Sequence, residues 1–321
     1  MFSFILAYVK SMRLYYAFVT GIAGWIGVSF YQFINPDAVT FARGGLILAL
    51  LFLSWGINQI VNDYLGLAED RINAPNRPMV TGELPPGPAM AVTVCLLIAV
   101  SGVSWLLNPW AMLPVVAGVL LNVLYEYAKG WSLWGNLVFG LSISMCTIYG
   151  FLASGPVPEP LITANRLCGL ALVVIFNGLM TYFTYFKDYK GDKKAGKRTF
   201  IVRHGIGVAR YAGVAGAVLT CLLLVAIVLL DGIPRKDILF MDHFLFCAAI
   251  AFFLQGWTAW LFYTKPRGEE TYFSLATNIR ACVAGQITLI AIFNGPLALF
   301  LMNASYIFIG FLFGLHKDAK A

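Results

Sequence analysis

The residues best suited to chemistry lie in a polar stretch that directly follows an apolar run of membrane-spanning length. A charge at the centre of a span costs about 2.5 to 3.5 kcal/mol on the insertion scale, so charged residues in such a place indicate a function. Four residues recur at intervals of four, and a continuous helix would place them on one face. They are Asn58, Asn62, Gly66 and Asp70. Oxygen ligands on one helical face suit a hard divalent cation, and Asp63 adds another carboxylate.

A second acidic pair lies further along the chain, at the end of another apolar run. Asp188 and Asp192 are four residues apart, so on a helix they lie on the same face and can share a cation. Together with Asp70 they are the predicted catalytic carboxylates. We expect the two acidic groups to hold Mg²⁺, with two ions in the site.

Basic residues accompany both acidic groups, and the combination predicts the kind of ligand. A polyanion bridged by Mg²⁺ can sit at the carboxylates while arginines and lysines take its remaining oxygens. Its apolar part can lie among the helices beneath. A prenyl diphosphate has both halves. The candidate cations for its diphosphate are Arg13, Arg77, Lys129 and Arg198.

Both polar stretches resemble the aspartate-rich motifs of the UbiA superfamily of intramembrane prenyltransferases. The motifs read Asn62-Asp63-x-x-Gly66-x-x-x-Asp70 and Asp188-x-x-x-Asp192. The family pattern is Asn-Asp-x-x-Asp-x-x-x-Asp, so Gly66 stands where a carboxylate is expected. The resemblance therefore implies that one Mg²⁺ loses a ligand and is bound less tightly, unless Asn58, Asp63 or Glu69 reaches around the helix to replace the missing ligand.

A third segment, Tyr125 to Lys129 followed by Gly135 and Asn136, is similar to the superfamily's Tyr-x-x-x-Lys segment and to its Gly-Asn pair. The resemblance implies that Lys129 holds diphosphate, with Tyr125 and Asn136 beside the substrate. A lysine is a natural point-charge partner for phosphate oxygens. The alternative is that Lys129 only anchors a loop at the membrane surface.

Electron-rich side chains lie beneath the two acidic groups when the helices are counted backwards. Trp55 is two turns below Asn62, and Tyr185 and Asn177 lie below Asp188. Such groups could stabilise an allylic cation and exclude water. Bundle packing is the alternative for the aromatic residues, and Asn177 could either orient an acceptor or bridge two helices.

The composition predicts the architecture. The chain is 60% hydrophobic and 12% charged, which indicates an all-α polytopic membrane protein. We expect one domain over residues 1–321, with about nine transmembrane helices arranged as two four-helix halves around a central cavity. The expected spans are 14–34, 44–63, 89–107, 110–128, 132–154, 166–187, 207–230, 240–263 and 281–302. The tail 303–315 is apolar too, and either prolongs the last span or forms a tenth.

The distribution of positive charge predicts the orientation and excludes one class of partner. The net charge of +7 lies in short loops between spans, which favours membrane topology and phosphate binding over nucleic acid. Lysines and arginines concentrate on the side that carries both acidic groups. We therefore expect the site on the cytoplasmic side of the lipid bilayer.

Three functions are compatible with these patterns. The preferred one is Mg²⁺-dependent transfer of a prenyl group from its diphosphate to a small, aromatic acceptor. The second is cyclisation without an acceptor, because Asn-x-x-x-Gly-x-x-x-Asp resembles UbiA-type terpene cyclases. A transporter is the third, although its charges would lie near mid-span rather than at two helix ends.

Overall fold

The computed structural model describes residues 2–157, 160–267 and 269–316, and this part of the chain is built from α-helices joined by short loops and 3₁₀ turns. The α-helices are α1 Phe2–Met12, α2 Ala17–Ile34, α3 Phe41–Leu65, α4 Leu67–Asn73, α5 Pro78–Thr81, α6 Pro86–Leu107, α7 Met112–Ala128, α8 Trp134–Ala153, α9 Ala164–Lys194, α10 Phe200–Leu229, α11 Met241–Thr264, α12 Glu269–Ala291 and α13 Gly295–Leu315. Ten helical segments of the described chain are long and apolar enough to cross a membrane, with α1 and α2 counted together. The protein is an integral, multi-pass membrane protein.

The carboxyl-terminal region corrects one predicted span. The expected span 281–302 is wrong, because α12 ends at Ala291 and α13 begins at Gly295. The Asn294 side chain accepts a hydrogen bond from the Leu297 backbone N–H at 3.1 Å, and Pro296 occupies the first turn of α13. A capping residue and an early proline start a new helix here, so the tail forms a tenth span.

The two halves of the bundle meet where their first helices, α2 and α8, cross. A Cβ atom at Gly27 would collide with the backbone of Thr147, and one at Gly150 would collide with the backbone of Gly24. The Thr147 hydroxyl also donates a hydrogen bond to the Ala23 carbonyl at 2.7 Å. Close contact between backbones through small residues is a common way for membrane helices to pack, since lipid supplies no hydrophobic drive between them.

The second helices of the two halves, α3 and α9, carry the acidic groups. Each ends at the same side of the bundle, and residues from both ends line one cavity. The short helices α4 and α5 follow α3, and α4 covers this end of the cavity. An Asn73 side-chain oxygen of α4 accepts a hydrogen bond from the Gly191 N–H of α9 at 2.8 Å, which joins the cover to the second acidic group.

Candidate active site

A polar cavity of about 100 Å³ lies where α3 and α9 end. Among the described residues, six carboxylates and five cationic side chains line it, so their charges nearly cancel. The carboxylates are Asp63, Glu69, Asp70, Glu126, Asp188 and Asp192, and the cations are Arg13, Arg77, Lys129, Lys187 and Lys197. Such a set is suited to a ligand that brings both a polyanion and a metal cation.

The first acidic group does not lie on one continuous helix. α3 ends at Leu65, and Gly66 is both the last cap of α3 and the first cap of α4. Asp70 therefore lies on a separate short helix, which corrects the expectation of a single four-residue face. Asn62, Asp63 and Asp70 still converge on the cavity, because α4 folds over the end of α3.

Asn58 is on a different side of α3. It lines a second cavity of about 70 Å³ between α3, α6, α7 and α8. Its carbonyl faces the Asn122 side chain at 3.5 Å. Asn58 lies one turn further into the membrane than Asn62 and does not line the charged cavity. The prediction that Asn58 belongs to the metal site is therefore wrong.

Arginines neutralise the carboxylates of the first group. Asp63 is 1% exposed; its Oδ1 contacts the Arg13 guanidinium and lies 3.2 Å from Arg77 Nη1. Gln59 Nε2 donates a further hydrogen bond to Asp63 Oδ1 at 3.2 Å. Arg77 also contacts Asp70. Arg77 thus bridges two carboxylates that come from different helices.

The pKa values of the bridging groups reflect this environment. Burial raises the pKa of the Asp70 carboxyl above its usual value, although the Arg77 guanidinium opposes the shift. For Arg77, burial alone would lower the pKa, but the Asp70 and Asp63 carboxylates raise it above its usual value. The guanidinium of Arg77 therefore stays charged beside Asp70.

Arg13 reaches the cavity through an unusual backbone conformation. It lies between α1 and α2 with φ at 47°, in the left-handed region that non-glycine residues seldom adopt. A residue in such a conformation is typically held by its surroundings at a functional position. Here the turn directs a side chain that is 7% exposed towards Asp63.

The second acidic group lies on α9, which continues as a helix to Lys194 and so presents Asp188 and Asp192 on one face, as predicted. Lys187 Nζ lies 3.4 Å from Asp188 Oδ1. Both carboxylates line the cavity opposite the first group.

A third group of charges lies between α4, α7 and the segment after α9. Glu126 Oε1 accepts a hydrogen bond from Lys129 Nζ at 2.7 Å. Lys197 Nζ lies 2.9 Å from Glu69 Oε1 and 3.6 Å from Glu126 Oε2. Burial alone would lower the pKa of Lys129, but the Glu126 carboxylate raises it above its usual value. Lys129 therefore remains cationic inside a largely buried site.

Aromatic rings form the inner wall of the cavity. Trp55 stacks on Tyr16 with ring centroids 5.0 Å apart, and Phe139 meets Trp55 edge to face at 6.4 Å. Tyr125 packs on Phe139 at 5.2 Å, and Lys129 lies over the Tyr125 ring. The cavity is thus polar at its charged end and aromatic towards the bundle interior.

Four other predicted substrate residues do not line the cavity. Asn177 is fully buried and accepts a hydrogen bond from Gln286 Nε2 at 3.2 Å, so it bridges α9 and α12. Asn136 donates to the Gly178 carbonyl at 3.3 Å and joins α8 to α9. The other two are Tyr185, whose hydroxyl fills the space beside Gly135, and Arg198, which is exposed.

The cavity also contains residues that were not among the predicted ligands. They include Tyr16, Gln59, Asn73, Glu126, Lys187 and Lys197, together with Glu69, which was considered only as a substitute. Glu126 carried a usable signal, because a carboxylate one turn before a span ends is costly without a partner. Nothing in the order of residues places Lys197 beside it.

The donors in this cavity fit a hard divalent cation. Asn62 Oδ1 and Asp63 Oδ2 are buried and have no hydrogen-bond partner among the described residues. Buried oxygens without partners are costly and suit a cation that is bound in the working state. In the described part of the chain no three carboxylates are already clustered as a metal site, because arginines and lysines pair with them.

Fold and cavity together define the protein as a multi-pass membrane protein with a charged, aromatic-walled site at one end of its helix bundle. Residues 17–277 match the model of the UbiA prenyltransferase family. The chain belongs to the UbiA prenyltransferase family and is a prenyltransferase.

Similar proteins agree with this assignment. Digeranylgeranylglyceryl phosphate synthase of Thermococcus sibiricus is 29% identical over 66% of this chain and 74% of its own length. The enzyme of that name from Methanospirillum hungatei is 27% identical over 71% and 83%. A UbiA homologue of Archaeoglobus fulgidus, solved with DMAPP and Mg²⁺, has the same fold, with a TM-score of 0.61, 15% identity and coverage of 98% of this chain and 97% of its own.

Proposed function

We propose that the protein transfers a prenyl group, with Mg²⁺, from an isoprenyl diphosphate to a hydroxyl group of a glycerol phosphate acceptor. The observation that carries this proposal is the cavity itself. It combines nearly balanced charges at the membrane edge with an aromatic wall that leads into the bundle. The same cavity supports a prenyl diphosphate as the donor, since that molecule needs both halves.

The charged groups can bind the donor by exchanging partners. Arg13 and Arg77 are paired with carboxylates in the free protein. A Mg²⁺–diphosphate would let the carboxylates bind the cation while the guanidinium groups bind phosphate oxygens, so no buried charge is left alone. Arg is well suited to bidentate contact with phosphate, and Lys129 and Lys187 supply further point charges.

The residues that would hold Mg²⁺ are Asn62, Asp63, Asp70, Asp188 and Asp192. When bound, Mg²⁺ would stabilise the negative charge of the departing diphosphate. We propose two ions, one for each acidic group. The two groups come from α3–α4 and from α9, and the Asn73–Gly191 hydrogen bond connects these two segments.

The reaction would break the bond between C1 of the prenyl group and its diphosphate oxygen, and form a bond from C1 to the acceptor oxygen. The acceptor hydroxyl gives its proton to the departing diphosphate, which leaves as pyrophosphate. Trp55, Tyr16 and Tyr125 present electron-rich faces to the allylic carbon and exclude water. Water capture of the cation would otherwise give the prenyl alcohol.

The acceptor is chosen from the similar proteins, whose name denotes a glyceryl phosphate carrying two geranylgeranyl groups. This replaces the aromatic acceptor preferred from sequence. The second candidate is cyclisation without an acceptor, which Gly66 favours because the first motif lacks one carboxylate.

We also propose that the cavity opens to the cytoplasm, on the side rich in lysine and arginine.

The experiment uses the full chain purified into lipid nanodiscs. Prenyl diphosphates of several lengths are supplied with a glycerol phosphate that carries one prenyl ether, with a hydroxybenzoate, or with no acceptor, and products are identified by mass. We expect the glycerol ether and pyrophosphate, and neither with EDTA. A prenylated benzoate would overturn the acceptor, and a cyclic product without acceptor would establish the second candidate. Intact diphosphate in every arm would overturn the function.

A further inference from the structure

Glu126 is a buried carboxylate that the predicted metal site does not include. It lies in the last turn of α7, is 6% exposed and lines the cavity. Lys129 occupies its Oε1, whereas Oε2 has no hydrogen-bond partner among the described residues. Oε2 makes only a longer ion pair, at 3.6 Å from Lys197 Nζ, so this oxygen can still bind a ligand in the cavity.

That oxygen faces Gly66. A Cβ atom built at Gly66 would lie 3.6 Å from Glu126 Oε2, 3.0 Å from the Asn62 carbonyl and 4.0 Å from Glu69 Oε2. Any side chain at position 66 would thus project between α3 and α7. Glycine leaves this space open, and oxygens from three segments of the chain surround it.

The surroundings favour a cation at this place. The Lys197 ammonium lies 3.6 Å from Glu126 Oε2, 2.9 Å from Glu69 Oε1 and 3.2 Å from the Glu126 carbonyl. The protein therefore already uses these oxygens to hold one positive charge. The partnerless oxygens of Asn62 and Asp63 line the same cavity. Carboxylate, amide and carbonyl oxygens are the ligands that hard divalent cations take.

We propose that Glu126 is a ligand of the divalent cation at the first acidic group, and that it supplies from α7 the carboxylate that α3 lacks at Gly66. This rests on the proposed function only in taking that cation to be Mg²⁺ bound with a diphosphate. Lys197 and Lys129 hold Glu126 in place from either side. The open space at Gly66 lets the carboxylate reach the cation.

The test measures binding of Mn²⁺, used as a paramagnetic stand-in for Mg²⁺, to the purified full chain by electron paramagnetic resonance, without a prenyl substrate and again with inorganic pyrophosphate. Glu126→Gln keeps the shape of the side chain and removes its charge. We expect it to weaken Mn²⁺ binding at least about 10-fold, the lower end of the loss seen for residues that only support metal ligands. Glu83→Gln is the matched control, because Glu83 is exposed and pairs with Lys10.

A second variant tests the geometry. The double variant Gly66→Asp/Glu126→Gln carries a carboxylate on α3 in place of the one on α7. We expect its Mn²⁺ affinity to return to within about 3-fold of the wild type. Gly66→Ala/Glu126→Gln controls for the added Cβ and should stay weak. Unchanged Mn²⁺ affinity in a folded Glu126→Gln protein would overturn the proposal, as would a loss that Gly66→Asp does not repair.

The binding assay separates this proposal from the function. If the wild type binds Mn²⁺ through Glu126 but releases no pyrophosphate from any prenyl diphosphate, the function fails and the ligand assignment stands. If the wild type is an active prenyltransferase and Glu126→Gln binds Mn²⁺ normally, the assignment fails alone. A Glu126→Gln protein with weak pyrophosphate binding but normal Mn²⁺ binding would show that Glu126 only orients Lys129.

Discussion

Arg77 offers the sharpest test of partner exchange in the site, because it bridges Asp63 and Asp70 and nothing else in the described structure touches both. The side chains of Arg77 and Asp70 are 10% and 12% exposed, and that of Asp63 is 1% exposed. Removing one partner of a buried ion pair costs about 3 to 5 kcal/mol, since the other charge stays buried. Asp63 keeps Arg13, so we expect Arg77→Met to cost about 3 kcal/mol.

The same substitution should have the opposite effect on metal binding. Without Arg77, two buried carboxylates have no shared counter-ion, and a divalent cation can take its place. We therefore expect Arg77→Met to bind Mn²⁺ more tightly than the wild type when no diphosphate is present. Its KM for prenyl diphosphate should rise at least about 10-fold, because a charge-assisted contact to phosphate is worth at least about 1.5 kcal/mol.

The assay is thermal unfolding in nanodiscs with and without Mg²⁺, where 3 kcal/mol corresponds to a fall of about 6 °C at about 2 °C per kcal/mol. Mg²⁺ should raise the Tm of the variant by most of that 6 °C and should raise the Tm of the wild type much less. The reason is that a cation stabilises the protein only when it binds to the folded state. Arg71→Met is the control, since Arg71 is exposed on α4, next to Asp70 in the chain. A loss of less than 1 kcal/mol, or equal Mg²⁺ responses, would refute the exchange of partners.

Further substitutions test other parts of the site. Asp192→Ala should abolish pyrophosphate release while the protein stays folded, and near-normal release would remove Asp192 from the metal site. Lys129→Ala should raise the KM for prenyl diphosphate and leave product identity unchanged, as liquid chromatography of the products will report. Trp55→Leu should lower kcat about 10-fold, the equivalent of a 1.4 kcal/mol cation–π contribution, and increase the prenyl alcohol by-product. Asn177→Ala should lower stability by about 1 kcal/mol with KM unchanged, and a raised KM would return it to the substrate site.

The membrane helices could be predicted from sequence because each span is a separate apolar run long enough to cross a bilayer. It also placed Asn62 and Asp63 near the end of α3, and Asp188 and Asp192 near the end of α9. The tail was harder to divide into spans, since the cap Asn294 and the proline Pro296 lie within a long apolar run that continues on both sides of them. Span counting alone therefore left nine and ten helices open.

Prediction was weakest where residues distant in the chain meet. Asp70 was assigned to a face of α3, because regular spacing does not reveal that the helix breaks at Gly66. Glu126 and Lys197 are far apart in sequence, yet the Lys197 ammonium lies 3.2 Å from the Glu126 carbonyl oxygen. Asn177 has the spacing of a site residue, but the partner that turns it away, Gln286, belongs to another helix.

The glycine crossing of α2 and α8 limits how the molecule can move. Carriers built from repeats commonly exchange their cargo between two sides by rocking one half against the other. Here the backbones of the two halves touch at Gly24, Gly27 and Gly150, and any sliding would drive a carbonyl into the opposite chain. This tight crossing opposes rocking of one half against the other, so donor and product have to reach the cavity without such a motion.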